Sequence, residues 1–108
     1  MRVATLTVRS RAEDGRLVLS VDGELDLDTV SQLREPAEAA LAAGELQAVE
    51  LDLADMTFID SSGLALLVEL RRLGGNAGVP VQIANLRSGP RRVIAIAGLT
   101  ETLGLSPP

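Results

Sequence analysis

Alternation of apolar and polar residues predicts two strands at the beginning of the chain. Val3–Arg9 and Arg16–Asp22 both place apolar side chains at every second position, which is typical of strands with one buried face. The dipeptide Asp14-Gly15 between them accepts positive φ angles, so we expect a hairpin. Gly23 interrupts the pattern and is expected to end the second strand.

Helical spacing of apolar residues predicts a first helix after this hairpin. Thr29 followed by Gln32 fits a capping box at its start, and Gly44 is expected to end it. The apolar stripe expected to be buried consists of Val30, Leu33, Ala37, Ala40 and Leu41.

The remaining chain predicts alternating strands and helices. The expected elements are a strand Val49–Leu53, an irregular or extended segment Met56–Asp60, a helix from about Ser61 to Leu73 ended by Gly74-Gly75, a strand through Val79, Val81 and Ile83, a short helix Arg91–Ala97 with Pro90 in its first turn, and a last edge strand Leu99–Leu105. Strands joined through a helix run parallel. We therefore predict one α/β domain over residues 1–108, a small mixed sheet of about five strands with about three helices.

Polar segments follow the predicted parallel strands. Asp26 follows the second strand, Asp60-Ser61 the third and Asn85–Ser88 the fourth. In open α/β sheets functional groups collect beyond the carboxyl ends of the strands, so all three segments are expected along one edge.

The composition argues against most enzyme chemistry. The chain has no His and no Cys, and all of its 10 basic residues are arginine. Imidazole bases, thiolate nucleophiles, Cys/His metal sites and lysine Schiff bases are therefore excluded. The formal net charge is −5 and Phe58 is the only aromatic residue, so a nucleic-acid-binding surface is not expected. We predict no catalytic activity, no cofactor and no metal site.

No segment predicts insertion into a membrane. The longest apolar runs, such as Leu64–Val68, are far too short to span a bilayer, and the first residues alternate rather than forming a signal sequence. We expect a cytoplasmic protein.

The segment Asp60-Ser61-Ser62-Gly63 lies at a predicted strand-to-helix junction. Its simplest role is structural, because Asp60 can cap the helix and leave Ser61 facing solvent. A serine nucleophile is not favoured, because the chain has no histidine or lysine to act as its base. A phosphate-binding loop is not favoured either, because the segment has only one glycine and Asp60 would repel a phosphate. The remaining alternative is a serine that is itself phosphorylated, since a helix N-terminus tolerates an added anion.

Three motifs together resemble the STAS family, and specifically bacterial anti-sigma factor antagonists. They are Phe58-Ile59-Asp60-Ser61-Ser62-Gly63-Leu64 after a strand, Gly23-Glu24-Leu25-Asp26 upstream of it, and the third-helix pattern from Arg91-Arg92-Val93 to Ala97-Gly98-Leu99. The resemblance extends from about Val3 to Leu105.

This resemblance implies a switch in protein binding. Such proteins bind an anti-sigma factor that is also a serine kinase. The kinase phosphorylates the first serine of the motif, which is Ser61 here, and a serine phosphatase removes the phosphate again. The residues that the resemblance places on the partner-binding surface are Asp26, Asp60, Ser62, Gly63 and Leu64.

Other roles stay open on the residues alone. Asp26 can equally bond local N–H groups in its loop, Gly63 can be a packing glycine, and Ser62 can take the phosphate in place of Ser61. The domain could instead be a scaffold or a subunit of a larger signalling or transport complex without a phosphorylation switch. A third possibility is an enzyme or nucleotide-binding module that uses Asp26 and Asp60 as an acidic pair.

Overall fold

A computed structural model describes residues 3–106 of the chain. Four strands and three helices follow one another in the order β1(Leu6–Glu13), β2(Arg16–Leu25), α1(Val30–Ala43), β3(Ala48–Ile59), α2(Ser61–Ala77), β4(Val81–Ala84), α3(Ser88–Ile96). The predicted α/β class is confirmed.

The strands form one mixed sheet in the order β1-β2-β3-β4. β1 and β2 are antiparallel and are joined through Asp14 and Gly15, whose φ angles are 51° and 81°, so the predicted hairpin is confirmed. β2 pairs in parallel with β3, and β3 pairs in parallel with β4. Each parallel pair is connected through a helix, as the chain pattern predicted.

The two faces of the sheet differ in polarity. Leu19, Leu51 and Ile83 are aligned across β2, β3 and β4; Leu19 and Leu51 belong to the hydrophobic core, and the half-buried Ile83 packs against it. The opposite face is polar, and Arg16 on that face donates to Glu50 at 3.1 Å and to Gln82 at 2.9 Å. The core therefore lies on one side of the sheet.

The predicted first helix is confirmed, but its capping box is not. Gly44 ends α1 in the left-handed conformation, with a φ of 67°. Thr29 is the N-terminal cap residue, yet its hydroxyl makes no capping hydrogen bond and donates to the carbonyl oxygen of Glu24 at 2.7 Å. Because Thr29 is buried against the end of β2, its side chain bonds to the preceding loop rather than to the helix. The core-facing residues of α1 are Val30, Leu33, Ala37 and Leu41, while Ala40 is half-buried.

Several strand boundaries differ from those predicted. β1 covers Leu6–Glu13 and not Val3–Arg9, β2 continues through Gly23 to Leu25, and β4 covers Val81–Ala84 without Val79. Gly23 is paired with Leu6 in β1 and with Met56 in β3, so β2 does not end there, and the register shifts beside it place the extra residues in β3. β3 is also continuous to Ile59, where an irregular segment was an alternative.

The predicted end of α2 at Gly74-Gly75 is wrong. The helix continues to Ala77 and ends at Gly78, which has a φ of 73°. A β-carbon on Gly74 would lie 2.5 Å from the carbonyl oxygen of Val79 and 2.6 Å from Cγ2 of Val81. Gly74 therefore allows α2 to pack closely against the start of β4.

Residues 99–105 do not form the predicted fifth strand. This segment consists mainly of turns, and the described part of the chain contains four strands. Leu103 nevertheless packs in the core. Its apolar side chain is buried although its backbone does not pair with the sheet. α3 extends over Ser88–Ile96, three residues earlier than predicted at its start, with Pro90 in its first turn.

Candidate functional site

The two sequence motifs meet at the carboxyl ends of β2 and β3. Leu25, the last residue of β2, is paired with Ile59, the last residue of β3. The backbone N–H of Asp60 donates to the carbonyl oxygen of Leu25 at 3.2 Å. Asp26 and Asp60 therefore leave neighbouring strands side by side, as the parallel pairing predicted.

Asp60 connects the two motifs through its carboxylate. Its Oδ1 accepts a hydrogen bond from the N–H of Gly63 at 3.0 Å, which caps α2 as predicted. Its Oδ2 accepts from the N–H of Leu27 at 3.2 Å, in the loop between β2 and α1. One carboxylate thus holds both the start of α2 and the neighbouring loop.

Asp26 has a local role in that loop. Its Oδ1 accepts from the N–H of Asp28 at 2.9 Å and from the N–H of Thr29 at 3.2 Å. The hydroxyl of Thr29 in turn accepts from the N–H of Asp26 at 3.0 Å. Asp26 therefore bonds to local N–H groups, which was one of its two predicted roles, and its carboxylate stabilises the loop conformation beside Asp60.

The four residues after Asp60 differ in their accessibility. Ser61 is exposed and Ser62 is half-buried, whereas Gly63 and Leu64 are buried. A β-carbon on Gly63 would lie 2.8 Å from the carbonyl oxygen of Leu25 and 2.7 Å from Cγ1 of Ile59. Gly63 is thus the packing glycine of the alternative interpretation, and neither Gly63 nor Leu64 presents much surface to a partner.

The third polar segment does not lie beside the first two. β4 ends at Ala84, which is paired with Asp52, whereas β3 continues for seven more residues to Ile59. At ~3.3 Å per residue this places the end of β4 about 20 Å below the end of β3. Asn85 instead donates from Nδ2 to Oδ1 of Asp52 at 3.2 Å, on the polar side of the sheet. The expectation of one shared edge is wrong for Asn85–Ser88.

Two exposed apolar side chains lie at the junction, and neither was predicted to belong to the site. Leu27 is 72% exposed and Phe58 is 48% exposed. Leu27 is tied to Asp60 through its backbone N–H, and Phe58 lies two residues before Asp60 on β3. The available signal was position along the chain: Leu27 directly follows one motif, between Asp26 and Asp28, and Phe58 is the first residue of the other.

The described residues show neither a metal centre nor a membrane span. Over residues 3–106, no three acidic side chains come together in a way that could hold a metal ion. Over the same residues, none of the helices combines the length and the apolar character needed to cross a bilayer. What the junction does present is an exposed hydroxyl, two carboxylates engaged with backbone N–H groups, and two exposed apolar side chains.

Comparison with known proteins gives consistent similarities over nearly the whole chain. The family model described as "Mlab, STAS domain" matches residues 8–106. The anti-sigma-F factor antagonist RsfB of Mycobacterium tuberculosis is 33% identical over 101 residues, which cover 94% of this chain and 81% of RsfB.

Solved structures share the fold. The crystal structure of an anti-sigma factor antagonist from Mycobacterium paratuberculosis matches with a TM-score of 0.78 and 31% identity, covering 96% of this chain and 87% of the other. The Bacillus cell fate determinant SpoIIAA in its phosphorylated form matches with a TM-score of 0.69 and 23% identity, covering 90% of this chain and 86% of the other.

Proposed function

Because this chain belongs to the STAS domain family, we propose that it is an anti-sigma factor antagonist controlled by phosphorylation of Ser61. In the unphosphorylated state it binds an anti-sigma factor serine kinase in the cytoplasm, and the kinase then releases its sigma factor. The chain itself is a binding module and not an enzyme. Two relatives support this proposal, since both are more than 30% identical to the chain and are named anti-sigma factor antagonists.

The covalent step takes place on the hydroxyl of Ser61. The kinase transfers the γ-phosphoryl group of ATP to Oγ, so that an O–P bond forms, ADP leaves and the hydroxyl proton is released. A serine phosphatase reverses the modification with water, which yields the free hydroxyl and inorganic phosphate. SpoIIAA, which shares the fold, has a solved phosphorylated form.

The observation that carries the proposal is the exposure of Ser61 at the first position of α2. A kinase can reach an exposed hydroxyl without unfolding any part of the domain. Ser62 is half-buried, and this difference in exposure favours Ser61 as the phosphorylated residue. The sequence alone left either serine as the candidate, because the two are adjacent.

The position at a helix N-terminus explains why the fold would survive the modification. A phosphoserine carries about −1.5 to −2 charges at neutral pH, and the helix dipole favours negative charge at this end. No acidic residue occupies the first turn of α2, and the carboxylate of the cap residue Asp60 is engaged by the N–H groups of Gly63 and Leu27. The modification therefore changes the surface and leaves the core intact.

The same phosphate would oppose binding of the partner. Asp60 precedes Ser61 directly, and Asp26 lies in the adjacent loop, so the new charge joins an acidic surface. A phosphate that loses its water at an interface without a cationic partner costs several kcal/mol. We expect phosphorylation to lower the affinity for the kinase on the order of 10²–10⁴-fold.

The test is phosphorylation by the anti-sigma factor serine kinases of the source organism. The wild-type protein is incubated with each kinase and ATP, the modified residue is mapped by mass spectrometry, and binding is measured by isothermal titration calorimetry before and after. We expect one phosphate on Ser61 and loss of binding. Ser61→Ala should remain unmodified and bind constitutively, Ser62→Ala should behave as wild type, and Ser61→Glu should weaken binding only in part because it carries one charge.

Specific outcomes would contradict this function. Phosphorylation of Ser62 alone would move the switch to the neighbouring hydroxyl. Stable self-assembly, with neither modification nor kinase binding, would support the scaffold alternative instead. Loss of binding in Ser61→Ala as severe as in the phosphorylated protein would make the hydroxyl a contact group and not a switch.

A further inference from the structure

Phe58 and Leu27 are exposed although their side chains belong to classes that are usually buried. Phe58 is the only aromatic residue of the chain, and 48% of it is exposed on β3. Leu27 is 72% exposed in the loop between β2 and α1. The fold fills its core with other apolar residues, which leaves these two free to contact another molecule.

Both residues lie near Asp60, the residue that directly precedes Ser61. The backbone N–H of Leu27 donates to Oδ2 of Asp60 at 3.2 Å, and Asp60 is directly followed by Ser61. Phe58 lies two residues before Asp60 in an extended strand, about 7 Å away along the backbone. Its partner in β2 is Glu24, so its side chain lies on the polar face of the sheet, which the helices do not cover. Both apolar residues are therefore close to Ser61, Leu27 through its hydrogen bond to Asp60 and Phe58 through the strand that leads to Asp60.

The backbone under both residues is fixed. The loop around Leu27 is held by the carboxylates of Asp26 and Asp60, and by the Thr29 hydroxyl, which donates to Glu24 at 2.7 Å. Phe58 lies within a strand that is paired on the β2 side. Side chains on a rigid backbone lose little conformational freedom when they bind, which is the usual situation of residues that dominate an interface.

From this geometry we infer that Leu27 and Phe58 are the apolar anchors through which the protein binds its anti-sigma factor serine kinase. This inference rests on the proposed function, and it names contact residues that the motifs did not assign. The occupant is the kinase because both residues lie near Asp60, whose neighbour Ser61 carries the hydroxyl that the kinase must reach. The partner should therefore present apolar pockets next to its phosphoryl-transfer site.

The anchors also explain how a single phosphate can release the partner. Burying one leucine or phenylalanine side chain corresponds to about 10–100-fold in affinity. A charged group placed next to two such contacts keeps water at this surface, so the apolar contacts and the serine contact are weakened together.

The experiment replaces each anchor and measures binding and phosphorylation separately. Leu27→Ser and Phe58→Thr remove apolar surface at exposed positions, and threonine suits a strand. Each is expected to lower the affinity for the kinase about 10–100-fold, to raise the KM for phosphorylation of Ser61 similarly, and to leave kcat unchanged. Leu27→Met and Phe58→Leu keep the apolar surface and should bind within about threefold of wild type.

Two controls make the result specific. Ala43→Ser changes an exposed residue at the far end of α1 and should leave affinity and KM unchanged. Thermal unfolding of each variant checks that the domain is folded. Should Phe58→Thr unfold, Leu27→Ser, which lies in a loop, decides the outcome.

The two levels of the proposal fail in different ways. If the wild-type protein is phosphorylated on Ser61 and binds the kinase, but folded Leu27→Ser and Phe58→Thr bind equally well, the anchors are wrong and the function stands. If the polar and the conservative variants lose affinity equally, apolar contact is not the cause and the inference also fails. If the wild-type protein neither binds nor is modified, the function fails and the anchors fail with it.

Discussion

At the residue scale, the carboxylate of Asp60 connects two parts of the structure. Oδ1 caps α2 through the N–H of Gly63, and Oδ2 accepts from the N–H of Leu27. Each oxygen satisfies a backbone donor that would otherwise need water. Asp60 is therefore a structural residue, and it determines where Ser61 and Leu27 lie relative to each other.

Replacing Asp60 should destabilise the domain, and the loss of stability should depend on how many of its two acceptor oxygens are removed. Asp60→Ala removes both acceptors and is expected to lower the free energy of unfolding by about 1–3 kcal/mol. Asp60→Asn keeps one amide oxygen and should cost less, because only one of the two donors loses its partner. Urea denaturation of both variants measures the difference. Equal stability of Asp60→Ala and wild type would show that the two hydrogen bonds contribute nothing net.

At the scale of elements, α2 illustrates two uses of glycine within one helix. Gly74 faces the start of β4, where a β-carbon would be 2.5 Å from the carbonyl oxygen of Val79. Gly75 is exposed, and a β-carbon there would meet nothing within 4 Å. Neither glycine ends the helix, which continues to Ala77. The adjacent pair therefore combines a packing requirement with a position that tolerates any small residue.

Substitution of the two glycines by alanine should have opposite effects. Gly74→Ala forces a shift between α2 and β4 and is expected to destabilise by about 1–3 kcal/mol. Gly75→Ala, the matched control, should stabilise by up to ~1 kcal/mol, because alanine has the higher helix propensity. Chemical denaturation of both variants checks the sign. Destabilisation by Gly75→Ala, or no effect of Gly74→Ala, would contradict the packing that the structure shows.

At the scale of the whole molecule, the hydrophobic core and the candidate site occupy different parts of the domain. The core lies between the helices and the apolar face of the sheet and includes Leu51, which is 0% exposed. The candidate site lies at the carboxyl ends of β2 and β3, where Leu27 is 72% exposed. This arrangement lets the surface change its charge while the core remains packed.

Two identical leucine truncations should therefore affect different properties. Leu51→Ala is expected to lower the free energy of unfolding by about 2–5 kcal/mol, since it leaves a cavity in the core. Leu27→Ala should stay within ~0.5 kcal/mol of wild type in stability, because its side chain is largely in water. Thermal and urea denaturation measure both. A loss of stability in Leu27→Ala comparable to that in Leu51→Ala would mean that Leu27 is part of the core.

The sequence alone determined those features that depend on neighbouring residues. The hairpin at Asp14-Gly15, the buried stripe of α1 and the cap at Asp60 follow from backbone preferences and the periods of strands and helices. The exposure of Ser61 follows from its position just after a cap.

Only the tertiary structure decided the features that join distant parts of the chain. The hydrogen bond from Leu27 to Asp60 spans 33 residues, the contact of Gly74 with β4 depends on how the helix packs, and the extension of β3 beyond β4 separates Asn85 from Ser61. The turns that replace the expected fifth strand also depend on packing, because Leu103 can be buried without pairing in the sheet. Spacing along the chain encodes the period of a strand or helix, but it does not encode which distant donor, carbonyl or side chain lies opposite a given residue.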